Sequence, residues 1–161
     1  MNTSVKRVIF SPEEDIKEFF IDEINEAKKE IKLATFWFTW KPIAYALSKA
    51  LKKGVDIKII LDSRSLEKKQ KDVHNEEIET VPYLLEKGFV DRIRIYNGEM
   101  LHYKLMLIDG RRVLNGSCNL FNASLNRTEE YCMVTEGEDL YEIFVKQFYK
   151  LWKDKSFKPK T

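Results

Sequence analysis

Residues Leu101 to Val134, LHYKLMLIDGRRVLNGSCNLFNASLNRTEEYCMV, carry the reading on which both the fold and the chemistry turn. Leu105, Met106, Leu107 and Ile108 form an apolar run, Asp109-Gly110 supplies a dipeptide that favours a primed hairpin turn, and Val113-Leu114 begin the return. The stretch reads as two short strands and a tight turn, with a polar shelf of Ser, Asn and Glu downstream of one histidine. Side chains alternate across a strand, so His102 and Lys104 share a face. If the loop is Asp109-Gly110 alone, His102 lies opposite Ser117; if it runs from Asp109 to Arg112, Lys104 lies opposite Ser117 and His102 opposite Asn119. Either even-length loop gathers His102, Lys104, Ser117 and Asn119 on one surface, with neighbouring Cβ atoms roughly 5 Å apart. An imidazole, an ammonium, a hydroxyl and a carboxamide then converge as an anion site. A slip of one residue would scatter them over both faces.

Outward from this hairpin, the chain alternates strand and helix patterns. Val5 to Phe10 reads as a first strand. Ser11, Pro12 and Glu14 have the character of a capped helix start, for a helix running to about Lys29 with an apolar stripe of Phe19, Phe20 and Ile24. Ile31 to Phe38 is the next strand; Thr39 caps a helix from Lys41 to Lys53 that stops at Gly54; Val55 to Leu61 is a buried strand ending at Asp62. Glu76 to Lys87 is a helix and Arg92 to Tyr96 a strand. After the hairpin come a strand over Glu130 to Thr135 and a closing helix over Asp139 to Lys153, with Leu140, Ile143, Phe144, Phe148 and Leu151 on its inner face. The order predicts an α/β fold: a mixed, largely parallel β-sheet sandwiched between helices. A chain of 161 residues fits one domain, and residues 154–161 form a basic tail expected to fray.

Charged residues make up 34% of the chain but the net charge is only +2, so attraction to a polyanion has to come from local clusters of Lys and Arg. The polar segment Ser63 to Asn75 is read first as a solvated loop or exposed helix; its alternative is a basic arm in which Arg64, Lys68, Lys69 and Lys71 reach phosphates. His74, alone among charges there, reads as a surface residue. The two cysteines, Cys118 and Cys132, match neither a disulfide framework nor a metal spacing and read as small buried thiols. Trp37, Phe38 and Trp40 suit core packing or a dimer contact, with base stacking as the functional alternative. No run has the length of a signal peptide or membrane span, which leads us to expect a soluble, cytoplasmic protein without stable membrane association.

No Asp, Glu and His spacing suggests a metal site, and of the two histidines only His102 sits among convergent polar groups, so the expectation is no metal and no cofactor. Phosphate-ester cleavage then needs a protein nucleophile. A neutral imidazole can attack phosphorus in line when a neighbour fixes its tautomer and stabilises the cation that forms, a role for which Glu130 is the right type. Lys104, Ser117 and Asn119 would supply donors to the non-bridging oxygens, where charge builds. The leaving oxygen needs a proton from the opposite side of phosphorus. With no second copy of the motif in the chain, a homodimer with the site on its two-fold axis would provide it from a second His102.

At these residues a resemblance enters. His102-x-Lys104-x4-Asp109, followed by Gly116-Ser117-x-Asn119 and then Glu130, is similar to the signature of the phospholipase D superfamily, and the size and order of elements resemble its one-copy nucleases. The resemblance implies a phospholipase D-like catalytic domain over residues 1–161 acting as a metal-independent phosphodiesterase. In that reading one histidine forms a phosphohistidine, while the other protonates the leaving group and later activates water. It also counts Asp109 with His102, Lys104 and Glu130 as catalytic-motif residues. Alternation, however, puts Asp109 on the opposite strand face at the turn, where bonding turn amides or a buried cation is the plainer job. Glu129 is the rival to Glu130, disfavoured by its spacing from His102, and Asn126 resembles an asparagine ahead of the family's glutamate. Phe121 departs from the Ser or Thr often found two residues after the asparagine, with Asn122 and Ser124 as substitutes. Nucleic acid, cut by an endonuclease, is the substrate first expected. A phospholipid-cleaving enzyme and a catalytically silent dimeric nucleic-acid-binding module are the alternatives.

Overall fold

The computed structural model describes residues 2–66, 79–120 and 128–160. Its strands are β1 (Ser4–Ser11), β2 (Glu30–Thr35), β3 (Asp56–Leu61), β4 (Ile93–Tyr96), β5 (Lys104–Ile108), β6 (Arg112–Gly116), β7 (Glu130–Glu136) and β8 (Ser156–Phe157). They form one open 8-stranded sheet in the order β1-β7-β6-β5-β2-β3-β4-β8. Helices α1 (Ile16–Glu26), α2 (Lys41–Lys52) and α3 (Thr80–Glu86) share one hydrophobic cluster with Ile9, Leu33, Ile57, Ile59, Met106 and Leu114. Helix α4 (Glu138–Asp154) closes a second cluster with Ala34, Ile60, Leu105, Leu107 and Val113. Alternate residues of the central strands therefore feed opposite cores, which is why these strands read as continuous apolar runs.

The helix-flanked mixed sheet is the architecture expected, but its parallel part is confined to β2–β3 and β3–β4. Among the described residues the other strand pairings are antiparallel, and one isolated parallel bridge joins Phe38 to Leu120. The first crossover does not join neighbours: β1 runs to the far edge and pairs with β7. Helix α1 also starts later than the Ser11 pattern suggests. The Ser11 hydroxyl donates to the Thr128 carbonyl instead, and Asp15 caps the helix by accepting from Glu18 N–H. Trp40, not Thr39, occupies the N-cap of α2. On α4, Ile143 is 54% exposed while Tyr141, Phe148, Leu151 and Trp152 are buried. The tail does not simply fray: Ser156 and Phe157 pair with Tyr96 and Ile95, and Lys158 reaches Asp91 at 2.6 Å.

The hairpin turn forms as its dipeptide requires. Asp109 and Gly110 both take positive φ, 55° and 76°, and Arg111 N–H donates to Ile108 O. Arg111 is nevertheless left outside the ladder, because its carbonyl accepts from Gly137 N–H at the end of β7, and Ile108 pairs with Arg112. The loop is odd-length, and the register differs by one residue from both alternatives given by an even loop.

The Asp109 carboxylate faces away from the hairpin and accepts the backbone N–H groups of Lys28, Lys29 and Glu30 at 2.8–3.1 Å. It ties the turn to the α1–β2 connection. Burial alone would raise its pKa; the three amides and the Arg112 guanidinium outweigh that and hold it below the usual carboxylate range. A depressed carboxyl contributes stability above its unfolded pKa of about 3.9 and loses it as pH falls through the folded value. Asp109→Ala should cost about 2 kcal/mol, since water can reach part of the vacated amides. In urea titrations the stability gap between wild type and Asp109→Asn should narrow from about pH 7 to about pH 3; a gap independent of pH would remove the latch.

Candidate active site

The motif residues meet at one end of the sheet, where β2 and β3 finish, β6 finishes, and β5 and β7 begin. Lys104 opens β5 opposite Thr35. Its ammonium lies 3.1 and 3.0 Å from the two ring nitrogens of His102 and donates to the His102 carbonyl at 3.1 Å. Lysine can only donate, so whichever ring nitrogen accepts is unprotonated. The imidazole is exposed, with the Phe36 ring 5.5 Å away at 58°.

Given the one-residue register difference, strand alternation would turn Ser117 away from Lys104. It does not, because β6 ends at Gly116. A Cβ there would lie 2.1 Å from the Tyr131 carbonyl, so only glycine allows this close approach. Ser117 then wraps around Tyr131: its N–H donates to Tyr131 O and its Oγ accepts from Tyr131 N–H, both at 3.1 Å. The same hydroxyl donates to the Glu130 carboxylate. Burial lowers the Lys104 pKa, opposed by the negative charge of Glu130. Asn119 follows, half-buried, on a segment fixed by hydrogen bonds from Thr39 and Trp40 N–H to Leu120 O and from Leu120 N–H to Trp37 O. Glu130 is thus bonded to Ser117, and the imidazole is engaged by Lys104.

Asp109 is not in this group. The length of β5 separates it from His102, about 20 Å of extended chain. Phe38 and Trp40 are 0% and 1% exposed and belong to the core, leaving Phe36 and Trp37, stacked at 5.5 Å, as the aromatic rim. Glu129 is exposed, whereas Glu130 is half-buried. Cys118 and Cys132 are buried, and burial pushes each thiol up to about 12, which keeps both protonated at neutral pH. Lys68, Lys69, Lys71, His74, Phe121, Asn122, Ser124 and Asn126 lie outside the described residues. Among the described residues, no three His, Cys, Asp or Glu side chains gather at metal-binding spacing.

One residue missed by motif reasoning holds the site together. Asp62, 1% exposed at the end of β3, accepts from Leu101 N–H at 2.7 Å, from Arg64 N–H at 3.0 Å and from the Arg64 guanidinium at 2.8 Å. Arg64 also donates to Glu99 O and lies 5.7 Å over the Phe36 ring. With Phe36 N–H donating to Tyr103 O, the backbone on both sides of His102 is pinned. A carboxylate directly after the apolar run Ile59, Ile60 and Leu61 was the available signal, since a buried Asp is rare unless paired.

A family model described as "Cardiolipin synthase, PLD-like domain" matches residues 20–152. The chain belongs to the phospholipase D superfamily. It is 27% identical over 139 residues to a protein named Phospholipase D from Rickettsia bellii, covering 86% of this chain and 65% of that protein. It is 23% identical over 132 residues to the mitochondrial cardiolipin hydrolase of Danio rerio, covering 82% and 55%. This chain therefore spans less than two thirds of the length of those curated relatives. Among solved structures, the phospholipase D family member Nuc from Salmonella typhimurium superposes with a TM-score of 0.80 at 26% identity, covering 99% of this chain and 100% of that one.

Replacing Asp62 by Ala should lower turnover of a small phosphodiester about tenfold or more through kcat, because displacements near 1 Å at a reacting group are that costly. Wild-type kcat in a folded Asp62→Ala protein would separate the clamp from the chemistry.

Proposed function

We propose that this chain is a metal-independent phosphodiesterase that cleaves nucleic acid as an endonuclease, through a phosphohistidine formed in a homodimeric site. The observation that carries the reading is the gathering of His102, Lys104, Ser117 and Glu130 at one sheet end. Members of the family are phosphodiesterases, which fits this donor set.

His102 attacks phosphorus in line, and the oxygen opposite it leaves. Lys104, Ser117 and Asn119 donate to the non-bridging oxygens as charge builds there. Glu130 offsets the positive charge of the imidazolium. The proton for the leaving oxygen comes from His102 of a second copy, because one imidazole cannot stand on both sides of phosphorus; that ring then activates the water that hydrolyses the phosphohistidine. Asp109, held by the Lys28, Lys29 and Glu30 amides, supports the fold and takes no part in the transfer. The aromatic rim of Phe36 and Trp37 beside the imidazole supports a substrate that carries bases.

A phospholipid substrate is the second reading, favoured by the names of the relatives from Rickettsia bellii and Danio rerio. Among the described residues no helix is long and apolar enough to cross a membrane.

His102→Ala should abolish cleavage of single-stranded or duplex DNA or RNA, while wild-type activity survives excess chelator. Sedimentation at micromolar concentration should give a dimer. Chelator-sensitive activity, or full activity in a strict monomer, would defeat the mechanism. Cleavage of phosphatidyl lipids in micelles with no turnover of oligonucleotides would hand the site to the second reading.

A further inference from the structure

The outer face of α2 is built unlike the rest of the chain. Its sequence, KPIAYALSKALK, contains no acidic residue, in a protein with 26 Asp and Glu. Ile43, Ala44, Ala46, Leu47, Ser48 and Ala50 turn inward, and the exposed positions are Tyr45, Lys49 and Lys52. Lys41, Tyr45 and Lys49 recur at i, i+4 and i+8, one stripe along a helix about 18 Å long. Lys41 in the first turn works against the helix macrodipole, whereas Lys49 and Lys52 in the last turn work with it.

Across the groove, Tyr83 of α3 meets Tyr45 with ring centroids 5.3 Å apart at 51°. Lys41 Nζ lies 5.4 Å over the Tyr45 ring, and Lys87 Nζ lies 5.5 Å over the Tyr83 ring. Tyr45 remains 45% exposed. The acids on α3 and its cap are Glu79 and Glu86, at the two ends of that helix. Both helices start at the candidate active site: α2 follows Trp40, whose N–H bonds Leu120 O, and the Thr80 hydroxyl at the start of α3 donates to Phe38 O. One pair of tyrosines flanked by ammonium groups thus lies on two helices tied at their starts to the segment that follows Phe36 and Trp37.

We infer that the α2–α3 face carries a single-stranded nucleic-acid segment extending from the scissile phosphate, with bases stacked on Tyr45 and Tyr83 and phosphates reached by Lys41, Lys49 and Lys87. Tyr45 is exposed and Tyr83 is half-buried against the core; aromatic rings interleaved with cations suit a strand whose bases are unpaired, since every base offers a π-face and every linkage a charge. A bilayer fits this face poorly, because the aliphatic side chains of α2 point into the core and leave no apolar wedge to insert. The inference rests on the nuclease reading and adds to it a binding path remote from the reacting group.

The test is fluorescence anisotropy with a labelled oligodeoxythymidylate of about 20 nucleotides, which reads binding without requiring cleavage. Wild type should bind; Tyr45→Ala should bind about tenfold more weakly, and Tyr45→Phe like wild type. Lys49→Gln should reduce the slope of log affinity against log salt by about 0.7. If Tyr45→Ala does not fold, the Lys49→Gln slope decides alone. Unchanged affinity in a folded Tyr45→Ala, or an unchanged slope in Lys49→Gln, overturns the path while leaving the nuclease reading intact. Wild type that ignores the oligonucleotide and binds vesicles of phosphatidylglycerol overturns both, and does so before any variant is compared.

Discussion

A carboxylate taken out of water has to be matched by donors, and Asp62 is matched by groups that set the position of His102. An unpaired buried charge costs several kcal/mol, so each donor to Asp62 is held against that penalty. One is the amide of Leu101, immediately before the histidine; the others belong to Arg64, whose guanidinium reaches on to Glu99 O. The constraint passes from the rigid end of β3 to a segment with no strand pairing of its own. Asp109 does the matching job at the other end of β5, where it collects the amides of Lys28, Lys29 and Glu30. The strand leading from the imidazole is thus anchored at both ends by carboxylates accepting backbone N–H groups.

This division explains the mixture of burial at the site. His102 and Tyr103 are exposed, while Leu101, Asp62 and Leu105 around them are buried. A reacting group has to face substrate, and its precision has to come from neighbours that do not. Ser117 is held in the same way: its backbone and hydroxyl are locked to Tyr131, and Gly116 permits the close approach that lets it turn toward Glu130. Motif spacing alone does not bring these groups together. The ends of five strands do.

What could be read in the sequence followed the range of the forces involved. The primed turn at Asp109-Gly110 was legible because positive φ at both positions is a local demand. The register was not, because Arg111 is drawn out of the ladder by Gly137, a residue distant in sequence. The start of α1 failed similarly: Ser11 and Asp15 both suit a cap, and the choice was made by Thr128, which takes the Ser11 hydroxyl. On α4, Ile143 and Tyr141 differ by two positions, and the hydroxyl decides between them. Tyr141 turns inward to donate to Glu30 beside the buried Lys32, leaving Ile143 outside. Two contacts within the motif, Lys104 with His102 and Ser117 with Glu130, join residues that the spacing had singled out, while the placement of Asp109 had been signalled by strand parity alone.

The contact between Lys104 and His102 bears on how two identical chains could divide one reaction. An ammonium donates only to an unprotonated ring nitrogen, so the nitrogen that accepts from Lys104 carries no proton. A neutral ring is the nucleophile's form. The proton donor of the proposed mechanism needs the opposite form at the same residue of the second copy, and therefore a different balance between Lys104 and Glu130 there. An empty symmetric dimer gives no reason for that difference. In the proposed dimer a substrate would supply one: its phosphate would draw the Lys104 ammonium of one copy toward the non-bridging oxygens, and the leaving oxygen on the far side would take the proton of the other ring. The roles would then follow from which way the scissile bond lies across the axis, and sequence identity between the two copies would be no obstacle to it.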